Sequence, residues 1–157
     1  MGSASIKISS LLKAERVHLN LKAAGRDSVL KELVGRTGLE EKEQKILLVS
    51  LKQREELGST GIGKSVAIPH CRSLLLNSLT LIVGRSKAGV DFDSIDKKPT
   101  KLFFLIIAPP HDPQNQYLIT LGRIAQLAKE LSPGDALFTA DQPAEFISRI
   151  TELEKNI

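Results

Sequence analysis

The residues of this chain whose types and spacing could do chemistry are crowded between Glu55 and Ser73. The stretch holds Gly58, Gly61 and Gly63, a Lys64–Ser65 pair, and His70 between Pro69 and Cys71. Imidazole is a good nucleophile near neutral pH, its ordinary pKa being about 6.5. The amides of a glycine-rich loop, with the hydroxyls of Ser59 and Thr60, can bond phosphoryl oxygens, and an arginine can neutralise their charge. On this reading His70 receives a phosphoryl group. The same stretch also satisfies a nucleotide-binding pattern, because Gly58 to Ser65 reads G-x-x-x-x-G-K-[ST]. Two unlike chemistries therefore claim the same residues, and a purely structural histidine is a third reading of them.

The elements around the stretch decide against the nucleotide. A phosphate loop needs a buried strand leading into its glycines and a helix starting at its Lys-Ser pair. Here Glu40 to Leu57 contains no Gly or Pro and is rich in Glu, Lys, Gln and Leu, which predicts a helix before the glycines. Its apolar positions are Ile46, Leu47, Val49 and Leu51. After Ser65 comes Val66-Ala67-Ile68, a short strand stopped by Pro69. The later apolar strand ends in Ala108-Pro109-Pro110 instead of an aspartate that could hold magnesium.

The rest of the chain supplies the framework. Val17 to Leu21 alternates with period two, as a strand does, and Ile6 to Leu12 reads as a short arm. Asp27 is placed to cap a helix with Val29, Leu30, Leu33 and Val34 on one face, closed by Gly35 and Gly38. Leu79 to Val83 predicts a strand bounded by Gly84, and Gly89 to Pro99 a turn-rich connection. Leu102 to Ala108 is a continuous apolar run, the pattern of a strand buried on both faces. Leu118, Leu121, Ala125, Ala128 and Leu131 follow at helical spacing. Asp141 is placed to cap a last helix with Pro143 in its first turn and Phe146, Ile147, Ile150 and Leu153 on its buried face. The order β-α-α-β-β-β-α-α predicts one α/β domain over residues 1–157, a mixed sheet flanked by helices, with its core from about residue 6 to 154 and residues 1–5 flexible.

Composition narrows the function classes. The net charge is +4, but the basic residues are spread and mixed with acidic ones, and only five Phe and one Tyr are present. That disfavours a stacking platform for single-stranded nucleic acid. One cysteine allows no internal disulfide and fits a reducing compartment. The longest apolar run is far short of the roughly 20 residues of a spanning helix, so no membrane insertion and a cytoplasmic protein are expected.

Longer patterns then point to a family. Arg54-Glu55, Gly58-Ser59-Thr60-Gly61-Ile62-Gly63 and Val66-Ala67-Ile68-Pro69-His70 resemble the signature R-E-x-x-G-S-T-G-I-G-x-x-[VI]-A-[IV]-P-H. This is the signature of enzyme IIA domains of the bacterial phosphotransferase system, in the fructose, mannitol and nitrogen-regulatory superfamily. Phe92 to Pro99 resembles that family's F-D-[AS]-x-D-x-x-P segment, and Leu102 to Pro109 its following buried strand. A free-standing domain most resembles the nitrogen-regulatory branch. The resemblance implies that His70 accepts phosphate from a phosphohistidine on a small phosphocarrier protein, with Arg54 pairing with the phosphoryl group. Ser59, Thr60, Gly61 and Gly63 would support it. No ATP, metal or other cofactor is implied at this step. Downstream partners would be a cysteine on enzyme IIB or regulatory target proteins.

One departure stands out. The family usually carries a second active-site histidine early in the helix after the buried strand, and Tyr117 takes that position here. Tyrosine can donate a hydrogen bond but cannot carry the positive charge. The alternative function is therefore a non-transferring regulatory or interaction domain that keeps the fold. Among other residues, His111 reads as a solvated loop residue and Cys71 as a small apolar filler instead of a redox thiol or metal ligand. Asp91, Asp93 and Asp96 lack the register of a calcium loop and read as turn and cap residues. His18 reads as structural or exposed. Lys64 and Arg72 are candidates for attracting phosphate or a partner.

Overall fold

The apolar run Leu102 to Ala108 lies in β6 (Thr100–Ala108), the strand on which the sheet is built. The computed structural model describes residues 6–157, so the expectation of a flexible start at residues 1–5 lies outside the described residues. Around β6 the sheet runs β1 (Val17–His18), β5 (Thr80–Val90), β6, β3 (Val66–Ala67), β2 (Gly61–Gly63), while β4 (His70–Arg72) pairs with β6 further along the same edge as β3. The β5–β6 and β2–β3 pairs are antiparallel and the β1–β5, β3–β6 and β4–β6 pairs are parallel, which makes the sheet mixed.

Two cores explain why β6 is apolar from Leu102 to Ala108. Leu102, Phe104, Ile106 and Ala108 face one side, where they meet α1 (Ile8–Leu11), α4 (Gln116–Lys129) and α5 (Pro143–Glu154). Phe103, Leu105 and Ile107 face the other, against α2 (Arg26–Val34) and α3 (Glu41–Glu56). With a side-chain period of two, a strand covered on both sides must be hydrophobic at every position.

Several expectations change. Asp27 does not cap α2. Gly25 holds that position, and Ser28 Oγ bonds both its N–H and its carbonyl. The cap of α5 is Gln142, one residue after Asp141. The strand expected to stop at Gly84 runs on to Val90. Gly84 is there for closeness: a Cβ would lie 2.5 Å from Leu33 and 2.8 Å from Leu21, so the missing side chain lets α2 sit on the sheet. The arm is partly helical, and Glu154 accepts from the backbone N–H groups of Ile8 and Ser9. On α3, Leu47 and Leu51 are buried while Ile46 and Val49 are exposed.

The glycine-rich stretch is a β-hairpin. Gly61–Gly63 pairs with Val66–Ala67, and the turn residues Lys64 and Ser65 both have positive φ, 57° and 65°. A two-residue turn of this hand matches the twist of the strands it joins. No helix begins at Ser65, so the nucleotide-binding pattern has no phosphate cradle behind it.

Candidate functional site

His70 begins β4, just after Pro69 interrupts the edge of the sheet. Pro69 has no N–H to give β6, but its carbonyl accepts from Ile106 N at 2.9 Å, so the strand resumes at once. Register partners share a face, so His70, opposite Ile106, turns toward α4, and Cys71, opposite Ile107, turns into the α2–α3 core.

The His70 tautomer follows from one contact. Nδ1 lies 2.7 Å from the carbonyl oxygen of Ile68, which can only accept, so Nδ1 carries the proton. Nε2 then holds the free lone pair. Burial pulls the imidazole below its ordinary pKa, the Ile68 carbonyl opposes this, and the Arg54 charge adds to the lowering. The ring is therefore kept neutral and nucleophilic at neutral pH.

Two further rings of contact surround it. The Tyr117 ring meets the His70 ring edge-on, with centroids 5.8 Å apart at 66°. The Arg72 guanidinium lies 4.6 Å from the Tyr117 centroid, in cation–π range, and donates to the Pro109 carbonyl. Burial pushes the Tyr117 phenol up to about 12, with nearby Cys71 adding and the charges of Arg72 and Arg54 opposing. Tyr117 is set in place by Asp112, whose carboxylate accepts from the backbone N–H groups of Gln116 and Tyr117 at the start of α4.

Arg54 lies in the last turn of α3 and is held by a 2.8 Å bond to the Gly58 carbonyl. The loop that follows is satisfied internally. Ser59 Oγ donates to the Phe92 carbonyl and accepts from Gly61 N. Thr60 gives both its N–H and its hydroxyl to the Glu55 carboxylate. Gly63 N bonds Ser94 Oγ. The expectation that the Ser59 and Thr60 hydroxyls point at a phosphoryl group is thus replaced by another arrangement, in which they fix the loop to α3 and to the Phe92–Pro99 segment. Gly61 serves the same packing, since a Cβ there would lie 2.9 Å from Ser94 Cα.

Sequence reasoning pointed to Arg54, His70 and Tyr117; the structure puts the His70 and Tyr117 rings in contact and Arg54 near enough for its charge to act on both. It missed Asp112, whose carboxylate holds the first N–H groups of α4 at Gln116 and Tyr117. It also gave no role to Glu55, which is 4% exposed and whose pKa is raised by burial against the opposing pull of Thr60 and the Arg54 and Arg26 charges. A signal existed for Glu55: Leu47, Leu51 and Glu55 are spaced i, i+4, so a carboxylate continues the buried stripe of α3. Cys71 is buried among apolar side chains and its thiol is pushed up to about 12. His111 is exposed in the loop before α4. His18 is tied to Glu32 at 2.6 Å and joins β1 to α2. Among the described residues no group of three or more His, Cys, Asp or Glu is gathered as metal ligands would be, and no helix is long and apolar enough to cross a membrane.

Comparison with known proteins places this geometry. The family model described as "Phosphoenolpyruvate-dependent sugar phosphotransferase system, EIIA 2" matches residues 10–153. A nitrogen regulatory protein of Bradyrhizobium diazoefficiens is 32% identical over 124 residues, covering 78% of this chain and 80% of that one. The fructose-specific EIIABC component of Bacillus subtilis is 30% identical over 154 residues, 96% of this chain but 24% of that protein, so the chain spans about a quarter of its length. The crystal structure of the nitrogen regulatory protein IIA-Ntr from Neisseria meningitidis superposes with a TM-score of 0.77 at 25% identity, covering 91% of this chain and 98% of that one. With the family model matched over nearly the whole chain, on a mixed sheet of this topology, the chain belongs to the EIIA 2 family of the phosphoenolpyruvate-dependent sugar phosphotransferase system.

Proposed function

We propose that the chain is a phosphoryl carrier in which His70 Nε2 accepts the group from a phosphohistidine on a small phosphocarrier protein. The observation that carries this is the bond between His70 Nδ1 and the Ile68 carbonyl, which leaves Nε2 unprotonated. The Nε2 lone pair forms the new N–P bond in line with the breaking one, and the donor imidazole keeps the electron pair of the bond that breaks. His70 keeps its Nδ1 proton throughout. The positive charge that develops on its ring strengthens the bond to Ile68, so no base is needed.

Arg54 supplies the charge that the phosphoryl oxygens need, with Arg72 behind the Tyr117 ring as a second cation. Ser59, Thr60, Gly61 and Gly63 support the site by fixing the loop whose Gly58 carbonyl holds Arg54. Leu57 and Leu74, each 86% exposed, and Leu118, 59% exposed, flank these residues along the chain. Exposed apolar side chains beside a nucleophile suit docking of partner proteins. The likeness to nitrogen regulatory proteins over most of both chains favours a regulatory outlet, through target proteins, over a transport outlet through enzyme IIB.

A second reading is an interaction domain that does not transfer phosphate. Tyr117 favours it, because a neutral, buried phenol beside His70 adds no charge at the site. The test is incubation with phosphoenolpyruvate, enzyme I and the matching phosphocarrier. Acid-labile label on the wild type that is lost in His70→Ala supports the carrier. An unlabelled wild type with its cognate donor establishes the second reading instead.

A further inference from the structure

Toward the other end of β6 lies a cation-rich groove that the His70 chemistry does not use. Two cavities, of about 390 Å³ and 270 Å³, share Lys101, Pro133 and Phe138. The larger is also lined by Arg85 and Lys87, and the smaller by Lys64 and Lys98. Five cations face two carboxylates, Asp96 and Asp141, a formal +3 in one groove where the whole chain carries +4. The Lys64–Ser65 pair of the nucleotide-like pattern lines this groove, at the tip of its hairpin.

Arg85 is the residue that calls for explanation. It is 3% exposed, yet no carboxylate lies within ion-pair distance of it among the described residues. Its hydrogen bonds go to two carbonyls, Nε to Leu19 at 3.3 Å and one terminal nitrogen to Leu137 at 3.2 Å. Asp141 on the same cavity wall acts on the guanidinium from beyond ion-pair distance, so its burial is only partly offset, and an anion entering the cavity would add to that. Arg85 pairs with Leu102, and His70 with Ile106, so the two sites are separated by four residues of β6, roughly 13 Å.

We propose that these joined cavities bind a small molecule bearing two or more phosphate groups. The cations occur in both cavities and meet at Lys101, which suits two charged groups spaced along one ligand. Phe138 and Pro133, common to both, offer an apolar wall to the body that links them. The concave shape and the scarcity of aromatics favour a small molecule over a nucleic-acid strand.

The proposal stands independently of the His70 reading, and the test keeps them apart. Inorganic pyrophosphate is titrated into the full chain at near-physiological salt, followed by calorimetry and by backbone and arginine NMR shifts. Saturable binding is expected, with shifts at Arg85, Lys101 and Phe138. It weakens at least about tenfold in Lys87→Ala/Lys101→Ala, whose two side chains are exposed, and is unchanged in His70→Ala. Four results overturn it: no saturable binding, equal affinity in the double variant, shifts centred instead on His70, Arg54 and Arg72, or binding of an oligonucleotide but not of pyrophosphate.

Discussion

His70 and Cys71 are neighbours on one strand, and β4 turns them to opposite sides of the sheet. Both are half or more buried, and both have chemically capable side chains. The difference lies in what each meets. His70 finds a carbonyl for one nitrogen, charge nearby, and a position that is only partly buried. Cys71 meets the apolar side chains of the α2–α3 core, and burial alone pushes its thiol up to about 12. A nucleophile is made by surroundings that favour its reactive form, and the two faces of this strand favour opposite forms.

The largest expected effect would break that contrast if it failed. His70→Ala should remove all acid-labile label, while Cys71→Ala keeps the label and costs only about 1 kcal/mol in a denaturant titration. Native Cys71 should resist alkylation at mildly alkaline pH and react fully once unfolded. Label on the His70→Ala protein, or fast alkylation of the native one, would put the reactive group on the wrong face. Next comes the charge on the His70 side. Arg54→Ala should slow single-turnover labelling roughly 100-fold, and Arg72→Ala less, because Arg72 meets His70 only through the Tyr117 ring. A larger loss for Arg72 would make it the main phosphate cation.

A stability effect follows from the loop. Glu55→Ala leaves the Thr60 N–H and hydroxyl without their buried acceptor, so it should cost about 1–3 kcal/mol, read as a lower midpoint in urea. Glu55→Gln keeps an acceptor and should recover most of the loss. If Glu55→Ala is neutral, the loop is held from the Phe92–Pro99 side instead.

The contrast between the two faces also measures how much was legible in the sequence. The apolar run of β6 and the period of the helices gave the layers, because burial writes itself into every residue of an element. The spacing of Arg54, the glycines and His70, with the family resemblance it carries, pointed to the candidate site. The inward turn of the Ser59 hydroxyl could not be read, since it depends on Phe92, thirty-three residues away, whereas the partner of the Thr60 hydroxyl, Glu55, lies only five residues back on the buried stripe of α3. Gly84 misled as a strand end because a glycine that breaks a strand and one that admits a helix look alike in sequence. The caps at Asp27 and Asp141 missed by one or two positions for a similar reason: the type was right for a helix start, but Ser28 and Pro143 set the geometry.

The smallest effect is a titration, and it sharpens the comparison most. The His70 pKa in the folded chain is lowered, first by burial and also by Arg54, against the Ile68 carbonyl. Above about pH 6.5 the ring is neutral in both folded and unfolded chains, and the native state keeps its full stability. As pH falls, the unfolded chain takes up the proton first, so this stability is lost until the pH has passed through the folded value. NMR titration of His70 should therefore give a midpoint below that of a free histidine. Arg54→Ala should move it upward, yet not all the way, because burial is the larger cause and is unchanged. A wild-type midpoint at or above the ordinary value would mean that the protonated ring is favoured, and a neutral nucleophile would no longer distinguish the His70 face. A midpoint that ignores Arg54→Ala would place that guanidinium out of reach of His70 and leave Arg72 as the cation nearest the reacting nitrogen.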